Sequence, residues 1–180
     1  MIRKIVKYGD PVLEMTCEPV TEFNTTGLDE LVEDMFETMN DANGVGLAAP
    51  QIGLSKSLAV VGISSDKESK ESKESKESSD RLILINPKML TTEGEQVDME
   101  GCLSVPGFSA PVKRPWKVTI RAQGPTGDWF ELAGEGLFAR ALLHENDHLN
   151  GILFLKHISR LKREMILRKI RKLRRNGEWG

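Results

Sequence analysis

Two histidines and a glutamate near the C-terminal end of the chain have types and spacing suited to catalysis. They lie in the sequence HENDH at positions 144–148, which is the HExxH pattern. On a helix, positions four apart share a face, so His144 and His148 can bind one metal ion while Glu145 reaches a water beside it. The alternative is a pair of histidines hydrogen-bonded within an ordinary helix. Apolar neighbours on both sides indicate a core-facing segment, where imidazoles need partners, and this favours the metal site.

A third protein ligand is needed, because a catalytic zinc-type site has three ligands and an open position for water. Cys102 is the better candidate, since a thiolate binds borderline and soft metals strongly and the preceding glycine allows a close backbone approach. His157 lies in a basic stretch beyond Gly151 and is expected at the surface. The alternative for Cys102 is a buried small apolar side chain, which is the role predicted for Cys17.

The elements that must position these residues are indicated by apolar periodicity. Helices are predicted over residues 27–42, 135–149 and 159–175. Strands are predicted over residues 58–63, 81–85, 117–121 and 129–132, the second of them stopped by an Asn-Pro pair. Residues 44–53 show no helical or strand period. Strands and helices without regular alternation indicate an α+β fold.

Length and composition exclude several classes of protein. The 180 residues are 39% hydrophobic, which excludes wholesale disorder and suits one domain. No apolar run approaches the about 20 residues of a membrane span, so no membrane partner is expected. Two cysteines are too few for a disulfide scaffold, and no signal peptide is evident. A cytoplasmic location is therefore expected.

Charge is distributed unevenly along the chain. The formal net charge is −2, yet residues 156–180 hold ten Lys and Arg against two Glu, a net +8 that leaves −10 elsewhere. A basic tail on an acidic body indicates a polyanionic partner. Residues 64–79 include four Lys-Glu-Ser triplets and no apolar residue, and they are predicted to form a solvated, mobile loop without a catalytic role.

Three segments resemble the signature motifs of the peptide deformylase family, in order and spacing. They are residues 44–51 (GVGLAAPQ), 100–104 (EGCLS) and 144–149 (HENDHL). HExxH combined with a cysteine in EGCLS separates this family from ordinary zinc proteases. The sequence departs from the family pattern at Leu143, where Gln is common, and in the Lys-Glu-Ser insert. The resemblance implies one α+β domain over residues 1–180, with mixed or antiparallel sheets around a central HExxH helix and a C-terminal helix.

The activity that the resemblance implies is removal of the formyl group from N-formylmethionyl nascent chains, with release of formate. One divalent metal ion, most commonly Fe²⁺ in the family, would be held by Cys102, His144 and His148; nickel, cobalt and zinc also accept this ligand set. Glu145 would act as general base. The Gln51 side chain and the Leu103 N–H would stabilise the oxygen of the tetrahedral intermediate.

An apolar slot for the methionine side chain is expected beside the metal. Leu137 and Ala141 lie on the same helical side as the two histidines, with Val45 opposite. Ordinary core packing is the alternative explanation for these residues. The peptide beyond methionine would pair with the backbone near Val45 and Gly46 as an added strand.

Charged residues outside the metal-binding motifs have two further expected roles. Glu100 and Arg114 are predicted to form a supporting ion pair. Bacterial members of the family dock on the ribosome through a C-terminal helix, so residues 159–175 are expected to contact ribosomal RNA, against the alternative of a merely solvated basic face.

Three other functions compete with deformylation. A zinc endopeptidase of another class would share HExxH but has no need of a cysteine in EGCLS. A non-catalytic RNA-binding protein would use only the basic tail, and a cysteine-nucleophile hydrolase would not depend on a metal.

Overall fold

The computed structural model describes residues 1–63 and 80–179. Within them lie three α-helices and seven strands: α1 (Thr26–Asp41), α2 (Gly136–Leu149), α3 (Arg160–Arg175), β1 (Gly46–Ala48), β2 (Leu58–Ile63), β3 (Asp80–Glu93), β4 (Gln96–Gly101), β5 (Ser109–Arg114), β6 (Lys117–Gln123) and β7 (Trp129–Glu135). Short 3-10 helices span Pro11–Glu14, Ala49–Ile52 and Phe154–Lys156. The loop predicted over residues 64–79 lies outside the described residues. The α+β class and the three predicted helices are confirmed.

Five strands form one sheet in the order β1-β2-β3-β6-β7. All neighbouring pairs in it are antiparallel, and β4 and β5 form a separate antiparallel pair. β1 stands at one edge, where Gly46 lies opposite Val61. Since β1 leads directly into the 3-10 helix Ala49–Ile52, this edge of the sheet carries the whole GVGLAAPQ segment.

Helix α2 packs its apolar side on the larger sheet. Ala139, Leu142 and Leu143 share a buried cluster with residues of β2, β3 and β6. The helix begins at Gly136, whose positive φ of 57° is a conformation that suits glycine, and its N–H donates to the Trp116 carbonyl at 2.8 Å. With one side of α2 fixed on the sheet, residues 137, 141, 144 and 148 share another face.

Helix α1 covers a second buried cluster. The Thr25 hydroxyl caps it by accepting a hydrogen bond from the Leu28 N–H at 3.2 Å. The predicted apolar stripe is buried and consists of Leu28, Leu31, Val32, Met35, Phe36 and Met39. This stripe packs with Leu47 of β1 and with Val60 and Ile85. β1 is therefore held in place from the α1 side as well as by β2.

The prediction that an Asn-Pro pair stops the second strand is wrong. β3 continues past the pair, with a register shift between Ile85 and Lys88. Asn86 has a positive φ of 50°. Its Oδ1 accepts a hydrogen bond from the Val20 N–H at 2.9 Å. Its Nδ2 donates to the Val20 carbonyl at 2.8 Å and to Gln123 Oε1 at 2.7 Å. The side-chain hydrogen bonds of Asn86 thus compensate for the backbone pairing that is interrupted at this position. The strand continues after the irregularity.

Helix α3 packs against the smaller sheet. Ser159 caps it, accepting from the Lys162 N–H at 3.3 Å. Ile166 and Ile170 are buried with Val112 of β5, whereas Leu161 and Met165 are exposed. None of the helices among the described residues has the length and apolar character needed to cross a bilayer.

An N-terminal arm, residues 4–10, connects three parts of the molecule. The Val6 N–H donates to the Gln51 carbonyl at 2.8 Å, and the Tyr8 N–H donates to the Ser104 carbonyl at 2.7 Å. The Tyr8 carbonyl accepts hydrogen bonds from Arg174 and, at 3.0 Å, from the Trp179 indole. The arm therefore joins the segments after β1 and β4 to the end of α3.

Candidate metal centre and active site

Three side chains from two distant segments meet at one point. The ligand atoms offered by Cys102, His144 and His148 all lie within 4.8 Å of one another. His148 Nε2 is 3.2 Å from Cys102 Sγ and 3.1 Å from His144 Nε2. Ligand atoms around a tetrahedral ion with bonds of about 2.0–2.3 Å are separated by about 3.3–3.6 Å. The three atoms are therefore close enough to share one ion after small side-chain shifts, with the cysteine coming from the segment after β4 and both histidines from α2.

The two histidines differ in protonation. Burial lowers the pKa of His148 well below its usual value, so this imidazole is neutral. Burial alone would also lower the pKa of His144, but hydrogen bonds to Cys102 and Glu100 outweigh it and raise that pKa well above the usual value. A bound cation would displace the proton that this raised pKa leaves on His144.

Glu100 is buried beside the histidines and binds three cationic or proton-bearing groups. Its Oε1 lies 2.6 Å from His144 Nδ1 and accepts from Arg114 Nη2 at 2.6 Å. Its Oε2 accepts from Arg114 Nε at 3.1 Å and from Arg140 Nη1 at 2.7 Å. Burial raises the pKa of Glu100, but the bonds from His144 and Arg114 outweigh it and hold the pKa well below its usual range. The predicted pair with Arg114 is present, and Glu100 also orients the His144 ring.

Glu145 lies against β1 with a carboxyl poised for proton transfer. Burial raises its pKa to about 7. The charge of His144 lowers this pKa, and the charges of Glu100 and Asp147 raise it. Among the described residues, its buried Oε2 has no hydrogen-bond partner. A Cβ built on Gly46 would lie 2.3 Å from Glu145 Oε1, so glycine is required at this close approach. A carboxyl that titrates near neutrality and has a free oxygen suits a general base.

Gln51 is fixed with its amide nitrogen toward Cys102. Its Oε1 accepts from the Ala48 N–H at 2.9 Å. Its Nε2 donates to Ser104 Oγ at 3.3 Å and lies 3.5 Å from Cys102 Sγ. Leu103 follows Cys102 and lines the same cavity. Ser104 was not predicted as a site residue, although it lies in EGCLS and its role is to hold the Gln51 amide.

A cavity of about 520 Å³ opens beside these groups. Its apolar lining includes the three residues expected there, Val45, Leu137 and Ala141, and also Met99, which was not expected. Leu137 is 67% exposed and Val45 57% exposed, so the alternative of ordinary core packing does not hold for these two residues. Met99 was missed because its strand, β4 (Gln96–Gly101), was not predicted from the sequence.

The remaining residues considered in the sequence lie outside the ligand group. Cys17 is buried in the core cluster of α2, and burial raises the pKa of its thiol to about 11. His157 is exposed, as expected. Leu143 packs into the apolar cluster. Within the described part of the chain, the buried Nδ1 of His148 has no hydrogen-bond partner.

Comparisons with known proteins agree on one family. The family model for polypeptide deformylase matches residues 2–164. A curated peptide deformylase from Acidobacterium capsulatum is 54% identical over 179 residues, covering 99% of each chain. The crystal structure of a peptide deformylase from Legionella pneumophila has a TM-score of 0.84 and 44% identity, covering 98% of each chain. A peptide deformylase structure from Ehrlichia chaffeensis has a TM-score of 0.85 and 34% identity, covering 98% of this chain and 99% of that one.

Proposed function

The chain belongs to the peptide deformylase family, metal-dependent hydrolases that remove the N-formyl group from formylmethionyl nascent peptides, and we propose that Cys102, His144 and His148 hold its metal ion. The observation that carries this proposal is the convergence of one sulfur and two ring nitrogens beside a buried carboxyl. Glu100 supports the ligand set by holding His144 Nδ1, which leaves Nε2 for the ion.

Glu145 is the proposed general base. The ion, when bound, polarises the formyl carbonyl and makes a water molecule more acidic. Glu145 accepts the proton of the attacking water and returns it to the amine nitrogen as the C–N bond breaks. Its pKa of about 7, raised by burial, suits both transfers near neutral pH. The products are formate and a free amino terminus.

Gln51 and Leu103 are the proposed donors to the oxygen of the tetrahedral intermediate. The Gln51 carbonyl oxygen is held by Ala48 and its nitrogen by Ser104, so the amide needs no reorientation during the reaction. Fixed donors of this kind stabilise a developing oxyanion because they are already aligned. The backbone N–H of Leu103 is the second donor.

The apolar side of the cavity is the proposed methionine subsite. Leu137 and Ala141 on α2 and Val45 before β1 line the cavity that contains the ligand group. Beyond methionine, we propose that the peptide pairs as an added strand at β1, the end strand of the sheet, near Gly46. Backbone pairing there accounts for binding of peptides with varied sequences.

The metal is proposed to be Fe²⁺, and metal analysis after anaerobic purification tests that identity against nickel, cobalt and zinc. The catalytic proposal is tested by formate release from formyl-Met-Ala-Ser. Glu145→Gln is expected to keep about one metal per chain and to lower kcat by about 10²–10⁴-fold. Wild-type turnover in Glu145→Gln, or full turnover after complete metal removal, would contradict the proposed mechanism.

A second proposal concerns the exposed basic face of α3. We propose that it contacts ribosomal RNA in the cytoplasm, where nascent chains are made. Three exposed basic residues of this helix support the proposal: Arg168, Lys172 and Arg175. The rest of the chain, outside residues 156–180, has a net negative charge. Changing these three to Gln leaves buried Ile166 and Ile170 in place. The variant is expected to lose ribosome pelleting at lower salt than wild type. Equal pelleting across the salt series would refute RNA contact through this face.

A further inference from the structure

His157 lies at the outer end of a chain of charged contacts that leads to the metal-ligand group. Its side chain is 34% exposed, and its Nε2 is 2.7 Å from Asp147 Oδ2. A contact this short with a carboxylate requires an N–H donor, so Nε2 carries the hydrogen. His157 is therefore attached to Asp147 through a directed bond.

Asp147 binds a buried arginine as well as His157. Its Oδ2 also accepts from Arg114 Nη1 at 2.6 Å. The Asp147 side chain is largely buried, and that of Arg114 almost completely so. His157 and Arg114 thus bind the same oxygen, with His157 Nε2 3.4 Å from Arg114 Nη1 and with His157 the more exposed of the two.

Arg114 is held at both ends of its guanidinium. Nη1 binds Asp147, while Nη2 and Nε bind the two oxygens of Glu100 at 2.6 and 3.1 Å. Glu100 Oε1 in turn lies 2.6 Å from His144 Nδ1. A guanidinium is planar and rigid, so a rotation of Asp147 at one end changes the position of Glu100 at the other.

We propose that His157 is a positioning residue for the metal ligand His144, acting through Asp147, Arg114 and Glu100. It keeps the Asp147 carboxylate turned toward Arg114 instead of toward solvent. This inference rests on the proposed metal centre, because its effect is on how firmly His144 holds an ion. An exposed ion pair that only stabilises the surface would leave the ion unaffected.

A matched pair of amide variants separates these two roles. His157→Gln places an N–H donor near the position of Nε2, whereas His157→Asn is too short to reach Asp147. Both variants are loaded with Co²⁺ as the probe, and transfer of cobalt to a chromophoric chelator is followed with time. The free energy of unfolding of each metal-free variant is measured in parallel.

Loss of a group that directly holds a metal ligand typically costs about 10–100-fold in metal affinity, and His157 acts three residues further out. Cobalt release is therefore expected to be about 3–10-fold faster in His157→Asn, with a changed visible cobalt spectrum, and within about twofold of wild type in His157→Gln. Equal release rates and spectra in wild type and His157→Asn would overturn the positioning role. Failure of wild type itself to bind one cobalt per chain would instead overturn the proposed metal centre.

Discussion

Replacing Gly46 by alanine tests the close approach between β1 and Glu145. A Cβ at this position would lie 2.3 Å from Glu145 Oε1 and 2.8 Å from its Cδ, whereas ordinary contacts begin at 3.4 Å. The carboxyl or the strand must therefore shift by about 1 Å, and a misplacement of that size can lower turnover about 10²-fold. We expect Gly46→Ala to bind metal normally and to lose about 10²-fold in kcat.

The assay is formate release from formyl-Met-Ala-Ser, with kcat and KM determined separately and metal content measured on the same samples. Gly62→Ala is the matched control, because its Cβ would meet the flexible end of Met39 at 3.1 Å and would lie in ordinary contact with the Val45 carbonyl oxygen at 4.0 Å. We expect kcat of this control within about twofold of wild type, since a flexible methyl can move away.

A stability measurement locates the cause of the loss. Overpacking costs about 1–3 kcal/mol, so Gly46→Ala should lower the free energy of unfolding by that amount in wild type. In a Glu145→Ala background the opposing carboxyl is gone, and the same substitution should cost clearly less. The steric reasoning is refuted if Gly46→Ala retains wild-type kcat, or if its cost in stability is equal in both backgrounds.

Three further predictions concern Gln51, Glu100 and Cys17. Gln51→Ala should lower kcat by about 10²–10³-fold with little change in metal content, because one oxyanion donor is lost; a normal kcat would exclude Gln51 from that role. Glu100→Gln should weaken metal binding by about 10–100-fold in chelator competition, since His144 Nδ1 and two arginines lose their carboxylate; unchanged affinity would refute this. Burial raises the pKa of the Cys17 thiol from 9.0 to about 11, so the folded state keeps its proton more tightly than the unfolded chain. This contribution to the free energy of unfolding is present below pH 9 and is lost as the pH rises toward 11, by about 1.4 kcal/mol per pH unit. Denaturant unfolding curves of Cys17→Ala should lack this loss. Identical pH dependence in both proteins would contradict the prediction.

Much of the site was predictable because its residues carry unusual chemistry at fixed spacing. HExxH places two imidazoles on one helix face by geometry alone, and EGCLS supplies a thiol after a glycine. The contacts of Glu100 were only partly predictable: the pair with Arg114 was expected, but the bond to His144 depends on how β4 and α2 pack. Contacts between segments 44 residues apart leave no local pattern in a sequence.

The fold was predictable where apolar periodicity is long and uninterrupted, as in α1 and α2. β1 was missed because three consecutive buried residues show no alternation. β4 was missed because it exposes most of its residues, and β5 because Arg114 occupies a buried position of its alternating pattern. The Asn-Pro pair in β3 was misinterpreted, since the side-chain bonds of Asn86 to Val20 and Gln123 become available only in the folded sheet.

The carbonyl of Tyr8 has a consequence for the order in which the molecule assembles. Its partners Arg174 and Trp179 lie 166 and 171 residues further along the chain. Synthesis proceeds from the amino end, so these bonds can close only after almost every other element has emerged. Closure of such distant contacts is slow, because the entropy of a very long loop is lost before any bond is gained. The hydrogen bonds from Arg174 and Trp179 to the Tyr8 carbonyl should therefore be among the last native contacts to appear during refolding.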